Sequence, residues 1–398
     1  KEVRALGKSA PSEDDKAASD AYWKASSDGY AALQQSCRGG AATLAFPKAL
    51  LDGKIRLAMS PDSWRALAEA VPDAQLLVRA DTVVAGGPRR MGAEVDSPIP
   101  PWNTVVAYER WRIATAVRAW ETGDKTAAIA SWSKGIRHWT DSAHESLIGA
   151  MMAVSIQTQA TIALQYAATN SNQIDESWAR EALAGLGPIE SMPQAVADSM
   201  LAEWQINLSV LKTASASPTL GAAFGIERNL MHRATDRLAR LVFDQNDTIN
   251  RFAQTNLWTQ DALRKVASGQ EAPEFPLEWA AFGCTTGGDW GMLCLPFMRN
   301  PVGRILAAIA APIYTNYGTR VADLRNLVAA TRLTIEARRR GLAGDALATF
   351  VANAPADMRD VFTGKPFEYD VVKKSCVRCC VKETRCLGTK GRTRCRCS

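Results

Sequence analysis

Imidazole is scarce in this chain, and most recognisable catalytic signatures are missing. Its 398 residues include three histidines, His138, His144 and His232. Asp141 and His144 stand three apart, as a carboxylate and imidazole do in each half of a di-iron bundle, but the second such pair is missing, which excludes that metal centre. No phosphate-cradling G-x-x-x-x-G-K-[ST] loop, no G-x-G-x-x-G turn, no G-x-S-x-G elbow and no H-E-x-x-H pair occurs. The reactions those spacings support are therefore not indicated. Long apolar runs are lacking too. Ile305 to Tyr314 is about half of the roughly 20 residues needed to cross a bilayer and contains Pro312, so no transmembrane helix is expected. Lys1-Glu2-Val3-Arg4 has no apolar core of a secretory signal, so either none existed or it was removed.

The first 370 residues lack an excess of either charge. From Val371 onward there are nine bases and one acid, Glu383, so this end carries +8 of the formal net +6 and leaves −2 on residues 1–370. Nucleic acid binding through the body is not expected, because it needs basic residues gathered on one face. Cysteine divides the same way. Three of the nine, Cys37, Cys284 and Cys294, lie in the body, and Cys376, Cys379, Cys380, Cys386, Cys395 and Cys397 crowd the tail.

What remains is an Ala- and Trp-rich chain with 47% hydrophobic and 22% charged residues, an ordinary globular composition. Its length suits two units or one large helical one, at about 150 residues per domain. Ser12 before Glu13-Asp14-Asp15 predicts a helix start, and so does Ser60-Pro61. Between Pro72 and Pro101 the Gly- and Pro-rich sequence predicts an irregular boundary, with room for a short strand over Gln75 to Val84. From Trp102 to about Asn170 the periodicity is helical, broken by a Gly123-Asp124 turn. Ile129, Trp132, Ile136 and Trp139 fall on one face, and Leu147 to Ile156 is apolar on more than one side, as an interior helix is. Further helices are predicted at about 175–185, 193–213, 219–243, 247–268, 301–340 and 344–353. The 301–340 helix is opened by Asn300-Pro301, interrupted at Pro312 and closed by Arg338-Arg339-Arg340 before Gly341. This Arg run reads as helix termination rather than an anion site.

The expected fold class is mostly α: an irregular multi-helix bundle or array, with little β and a disordered or loosely structured basic Cys-rich C-terminal tail. The expected division is 1–100, N-terminal helices and irregular linker; 101–370, the main helical domain; and 371–398, the tail. Candidate chemistry is sparse. Cys284 and Cys294 bracket a loop with three glycines and could form a disulfide. In the tail the spacing C-x2-C-C-x5-C-x8-C-x-C offers a zinc site at Cys376, Cys379, Cys386 and Cys395, a set of disulfides, or the Arg, Cys and Gly enrichment of a shifted reading frame. Glu145-Ser146 resembles the pair that carries the catalytic acid of lytic transglycosylases, which would make Glu145 a general acid. Trp102, Trp111, Trp120, Trp132, Trp139 and Trp204 read as core, with a glycan- or peptide-binding groove as the alternative.

Four stretches carry a wider likeness: Trp132 to Gln159, with Ser-Leu-Ile-Gly-Ala-Met-Met-Ala-Val at its centre; Asn300-Pro301-Val302-Gly303-Arg304-Ile305-Leu306 on through Pro312; Tyr317 to Leu327; and Phe362-Thr363-Gly364-Lys365-Pro366-Phe367-Glu368-Tyr369. The chain resembles a group of uncharacterised proteobacterial exported or envelope-associated helical proteins, whose Phe-Thr-Gly-Lys-Pro-Phe segment lies close to the C-terminus. The resemblance implies an extracytoplasmic, periplasmic setting and a helical fold. It supplies no cofactor and no catalytic residue. The expected function is a non-enzymatic binding or scaffolding protein of the bacterial envelope, with another protein or an envelope component as partner. The alternatives are a glycan-cleaving enzyme using Glu145 and a metal- or polyanion-binding role for the tail.

Overall fold

The computed structural model describes residues 61–69, 102–144, 146–171, 173–216, 243–274, 300, 314–370, 375–377 and 394–396. The helix expected after Ser12, the strand at Gln75 to Val84, the helix at 219–243 and the 301–313 part of the long helix lie outside the described residues. The chain packs as two compact units, Lys1–Gly86 with Pro98–Thr115, and Gly87–Ser97 with Ala116–Ser398.

In the first unit α1 (Pro61–Glu69) begins at the proline, whose fixed φ suits the first helical position. It buries Trp64 and Leu67. The part of α2 (Trp102–Glu121) that belongs to this unit buries Val106, Tyr108, Ile113 and Ala114. Its Glu109, 1% exposed, takes Nε and Nη2 of Arg112 at 2.9 and 2.6 Å. A buried carboxylate is tolerable only with such a partner.

The second unit is mostly α-helical. Asp124 caps α3 (Lys125–Ser142) by accepting the Ala127 N–H at 3.1 Å, and the expected stripe of Ile129, Trp132, Ile136 and Trp139 is buried along it. There follow α4 (Leu147–Thr169), α5 (Glu176–Leu186) with a 3-10 turn at Gly187–Ser191, and α6 (Met192–Ala216). α7 (Gln245–Ala267), α8 (Thr315–Arg339) and α9 (Gly344–Ala352) complete the described helices. α3 packs on α4 and α5, α6 on α7, and α8 on both α4 and α7. Gly318 permits the last of these approaches: a Cβ there would stand 2.9 Å from the Val266 Cβ and 3.1 Å from the Leu263 carbonyl oxygen.

By length and composition α4 would cross a membrane, but 67% of its most apolar window is buried in the protein. Gln157, Gln159 and Thr161 are buried along it, and Gln157 donates to Ile136 O and Thr140 Oγ1 of α3 at 3.1 and 2.6 Å. α4 is a core helix.

Helix ends explain several of the motifs. α8 closes in a Schellman arrangement, with the Gly341 N–H on Arg338 O, the Leu342 N–H on Ala337 O, and Gly341 at φ +64°. The Arg run is fully engaged there: Arg338 donates to Thr169 O at the end of α4, Arg339 pairs with Glu176 and Glu336, and Arg340 pairs with Glu336 and lies over the Phe350 ring. Hydrogen bonds from Arg339, then from Arg340, hold the Glu336 carboxyl below its usual range despite burial. Asn300, at φ +54° and 3% exposed, is bound to the start of α7. It accepts the Asp244 N–H and donates to Asp244 O, Asp247 Oδ2 and Thr248 Oγ1.

The Phe-Thr-Gly-Lys-Pro-Phe segment is a turn organised by Asp360, whose Oδ1 accepts the Phe362 and Thr363 N–H groups, both at 2.9 Å. Asn326 of α8 ties it down by donating to Asp360 Oδ2 and accepting the Val361 N–H. Phe367 then packs with Leu333, Val351 and Met358. Immediately after it β1 (Glu368–Asp370), β2 (Ser375–Val377) and β3 (Arg394–Arg396) form an antiparallel sheet in that order. The fold is mostly α, an irregular helical bundle with little β, as the sequence predicts.

Candidate functional site

Ionisable side chains from α6 and from the turns after α3 and before α8 are found near the start of α4. Ala143 and His144 form a turn after α3, and Ser146 has extended backbone with φ −162° and ψ 161°. Its Oγ accepts the Gly149 N–H at 3.0 Å. This is an N-cap, satisfying one of the amides a helix start leaves free. The carboxyl of Glu203 from α6 lies near a second, that of Leu147, which favours its charged form. The positive end of the α4 dipole also favours a negative group there. Burial nevertheless outweighs these influences and raises the Glu203 carboxyl above its usual range. The phenol of Tyr314, just before α8, is pushed up by burial first, then by the charge of Glu203 and by Tyr317. The Tyr314 and Tyr317 rings lie 6.2 Å apart, and the Arg320 guanidinium sits 5.4 Å over Tyr317.

Next to this corner, His144 Nδ1 is 3.1 Å from Asp198 Oδ2, with both side chains more than 40% exposed. Asp198 Oδ1 accepts Gln194 Nε2 at 2.5 Å, and Gln194 Oε1 accepts Arg264 Nε at 3.1 Å. A carboxylate on Nδ1 orients an imidazole in the way a general base requires. The neighbouring hydroxyl, Ser146 Oγ, is 3% exposed as a residue and engaged as a helix cap. Polar links thus join the turn after α3 to α6 and α6 to α7, while Ser146 caps α4.

The sequence-derived candidates fall as follows. Glu145, Cys284, Cys294, Cys379 and Cys386 lie outside the described residues. His144 is brought to Asp198 of α6 rather than into a half-site with Asp141. Cys376 and Cys395 are brought opposite one another on β2 and β3. Among the described residues no group of three or more His, Cys, Asp or Glu side chains converges as a metal site. Trp132 and Trp139 are 0% and 3% exposed and belong to the core, while Trp204 packs beside Leu211 and Phe252. Sequence reasoning missed Glu203 and Asp198 altogether. Both sit in a continuous helical pattern, and what distinguishes them arrives from residues 54 or more positions away in the chain.

One apolar feature lies on the same two helices, α6 and α7. Leu201 and Leu257 are 55% and 65% exposed, and the residues beside them, Met200 and Asn256, are joined by a hydrogen bond of 2.9 Å from Asn256 Nδ2 to the Met200 carbonyl. The two leucines thus flank one crossing point of α6 and α7. No family model, curated protein or solved structure matches the chain.

Proposed function

We propose that this chain is a non-enzymatic helical binding or scaffolding protein of the bacterial envelope, working in the periplasm and binding a partner protein through an apolar helix face. One observation carries the reading. Two large aliphatic side chains stand exposed, each next in sequence to a residue of the Asn256–Met200 hydrogen bond at the α6–α7 crossing, while His144 and Asp198 nearby are paired with one another. Helix-in-groove recognition uses such aliphatic anchors. The envelope setting rests on the resemblance of the four sequence stretches given above.

The test is site-specific photo-crosslinking in intact bacterial cells expressing the protein. A benzophenone side chain at position 201 or 257 is expected to yield a discrete crosslinked species that copurifies with the periplasmic fraction, and the same probe at Glu181, exposed on α5, is expected to yield none. Identical products from all three positions, or none from any, would contradict the reading. So would cleavage of purified peptidoglycan strands by the wild-type chain that is lost in Glu145→Gln.

A further inference from the structure

We propose that Cys376 and Cys395 form a disulfide linking β2 to β3. The inference goes beyond the binding reading and does not depend on it. It starts from register: in the antiparallel pair, Ser375 faces Arg396, Cys376 faces Cys395 and Val377 faces Arg394. Directly opposed residues in such a ladder have Cα atoms about 4.5 or 5.5 Å apart, and both separations fall within the roughly 4.4–6.8 Å that a disulfide spans. Of the six tail cysteines, these two are the ones the described strands place face to face.

The position of β2 explains why the pairing matters. β2 lies between β3 and β1, with Tyr369 of β1 in register with Cys376. Tyr369 packs against the cluster of Leu333, Val351 and Phe367. A bond between Cys376 and Cys395 therefore closes the 377–394 segment into a loop anchored to the folded body through β1. It also withdraws two of the four thiols that the zinc arrangement would need.

The chemistry balances by disulfide interchange. One thiolate attacks a small-molecule disulfide and releases one thiol; the second thiolate attacks the resulting mixed disulfide and releases another. Two protein thiols are oxidised, one external disulfide is reduced to two thiols, and the oxidant class is a low-molecular-weight disulfide such as oxidised glutathione.

The sequence makes the test decisive. Trypsin separates every tail cysteine except the adjacent Cys379 and Cys380: Cys376 falls in Ser375–Arg378, Cys395 in Cys395–Arg396, Cys386 in Cys386–Lys390 and Cys397 in Cys397–Ser398. The purified full-length chain is equilibrated with oxidised and reduced glutathione, quenched in acid, alkylated and mapped by mass spectrometry without reduction. The expected result is Ser375–Arg378 linked to Cys395–Arg396 as the main form of Cys376, disappearing in Cys395→Ser, where Cys376 becomes alkylated or glutathionylated. Cys376 linked mainly to another cysteine would overturn the proposal. So would Cys376 remaining alkylatable throughout, or protection that is removed by a zinc chelator rather than by a reductant.

Discussion

Glu203 and Gly269 show how single residues set the character of this protein. Burial raises the Glu203 carboxyl, so its ionisation at neutral pH costs the folded state stability. The sign follows from the folded pKa lying above the unfolded one. Below the unfolded value of about 4.3 the group is neutral in both states and costs nothing; as pH rises toward the folded value the cost grows, then holds constant above it. Glu203→Gln keeps the size of the side chain and removes the charge. Its thermal midpoint is expected above wild type at pH 7, with the gap closing as pH falls through 4; a gap independent of pH would show that burial of the charge is not the cause. Gly269 has φ +84°, and a Cβ there would lie 2.1 Å from the Val361 carbonyl oxygen. Gly269→Ala combines a strained backbone with a clash against main chain, and a loss of about 3 kcal/mol is expected in urea unfolding. Neither role is readable locally. A glutamate inside a helical pattern and a glycine after one look ordinary until residues far along the chain are placed against them.

At the scale of elements, the sequence is most informative where a period and a cap coincide. The stripe from Ile129 to Trp139 repeats at three and four residues, and Asp124 stands where a cap belongs, so α3 is legible in full. Ser146 carries a signal of another kind: the expectation at Glu145-Ser146 concerns Glu145, which lies outside the described residues, but a serine directly before an apolar run is also a helix-start signal, and Ser146 caps α4. Asn300 is a second case. Its side chain holds α7, whose first turn lies more than fifty residues earlier in the chain, and no local pattern reports that. α5 offers a clean test of capping. The N–H of Trp178, then the Ser177 hydroxyl, hold the Asp175 carboxyl below its usual range. The stabilisation is therefore present above the unfolded pKa and lost as pH falls through the folded one. Asp175→Ala is expected to cost about 1 kcal/mol at pH 7, measured by chemical denaturation, and to cost less below the folded pKa of Asp175, where the cap is a neutral acid. An undiminished cost in acid would assign the effect to something other than the ionised cap.

At the scale of the molecule, composition and periodicity announce a helical body with a distinct tail, because both are sums over many residues. They do not announce which parts meet. The pairing of β2 with β1 joins the first tail residues to the end of the body, and the crossing of α6 and α7 brings together Met200 and Asn256, the neighbours of Leu201 and Leu257, across more than fifty positions of sequence. Exposed leucines at one crossing are the feature on which the functional reading stands. Replacing them with Glu should leave the fold intact, since substitutions at exposed positions change stability by about 0.5 kcal/mol or less. The direct measurement is photo-crosslinking from a benzophenone placed at Ala202, beside Leu201, in cells carrying Leu201→Glu with Leu257→Glu, alongside urea unfolding of the same variant. The account expects an unchanged unfolding midpoint and loss of the crosslinked species; a stable variant that still crosslinks to the same partner in full would contradict it.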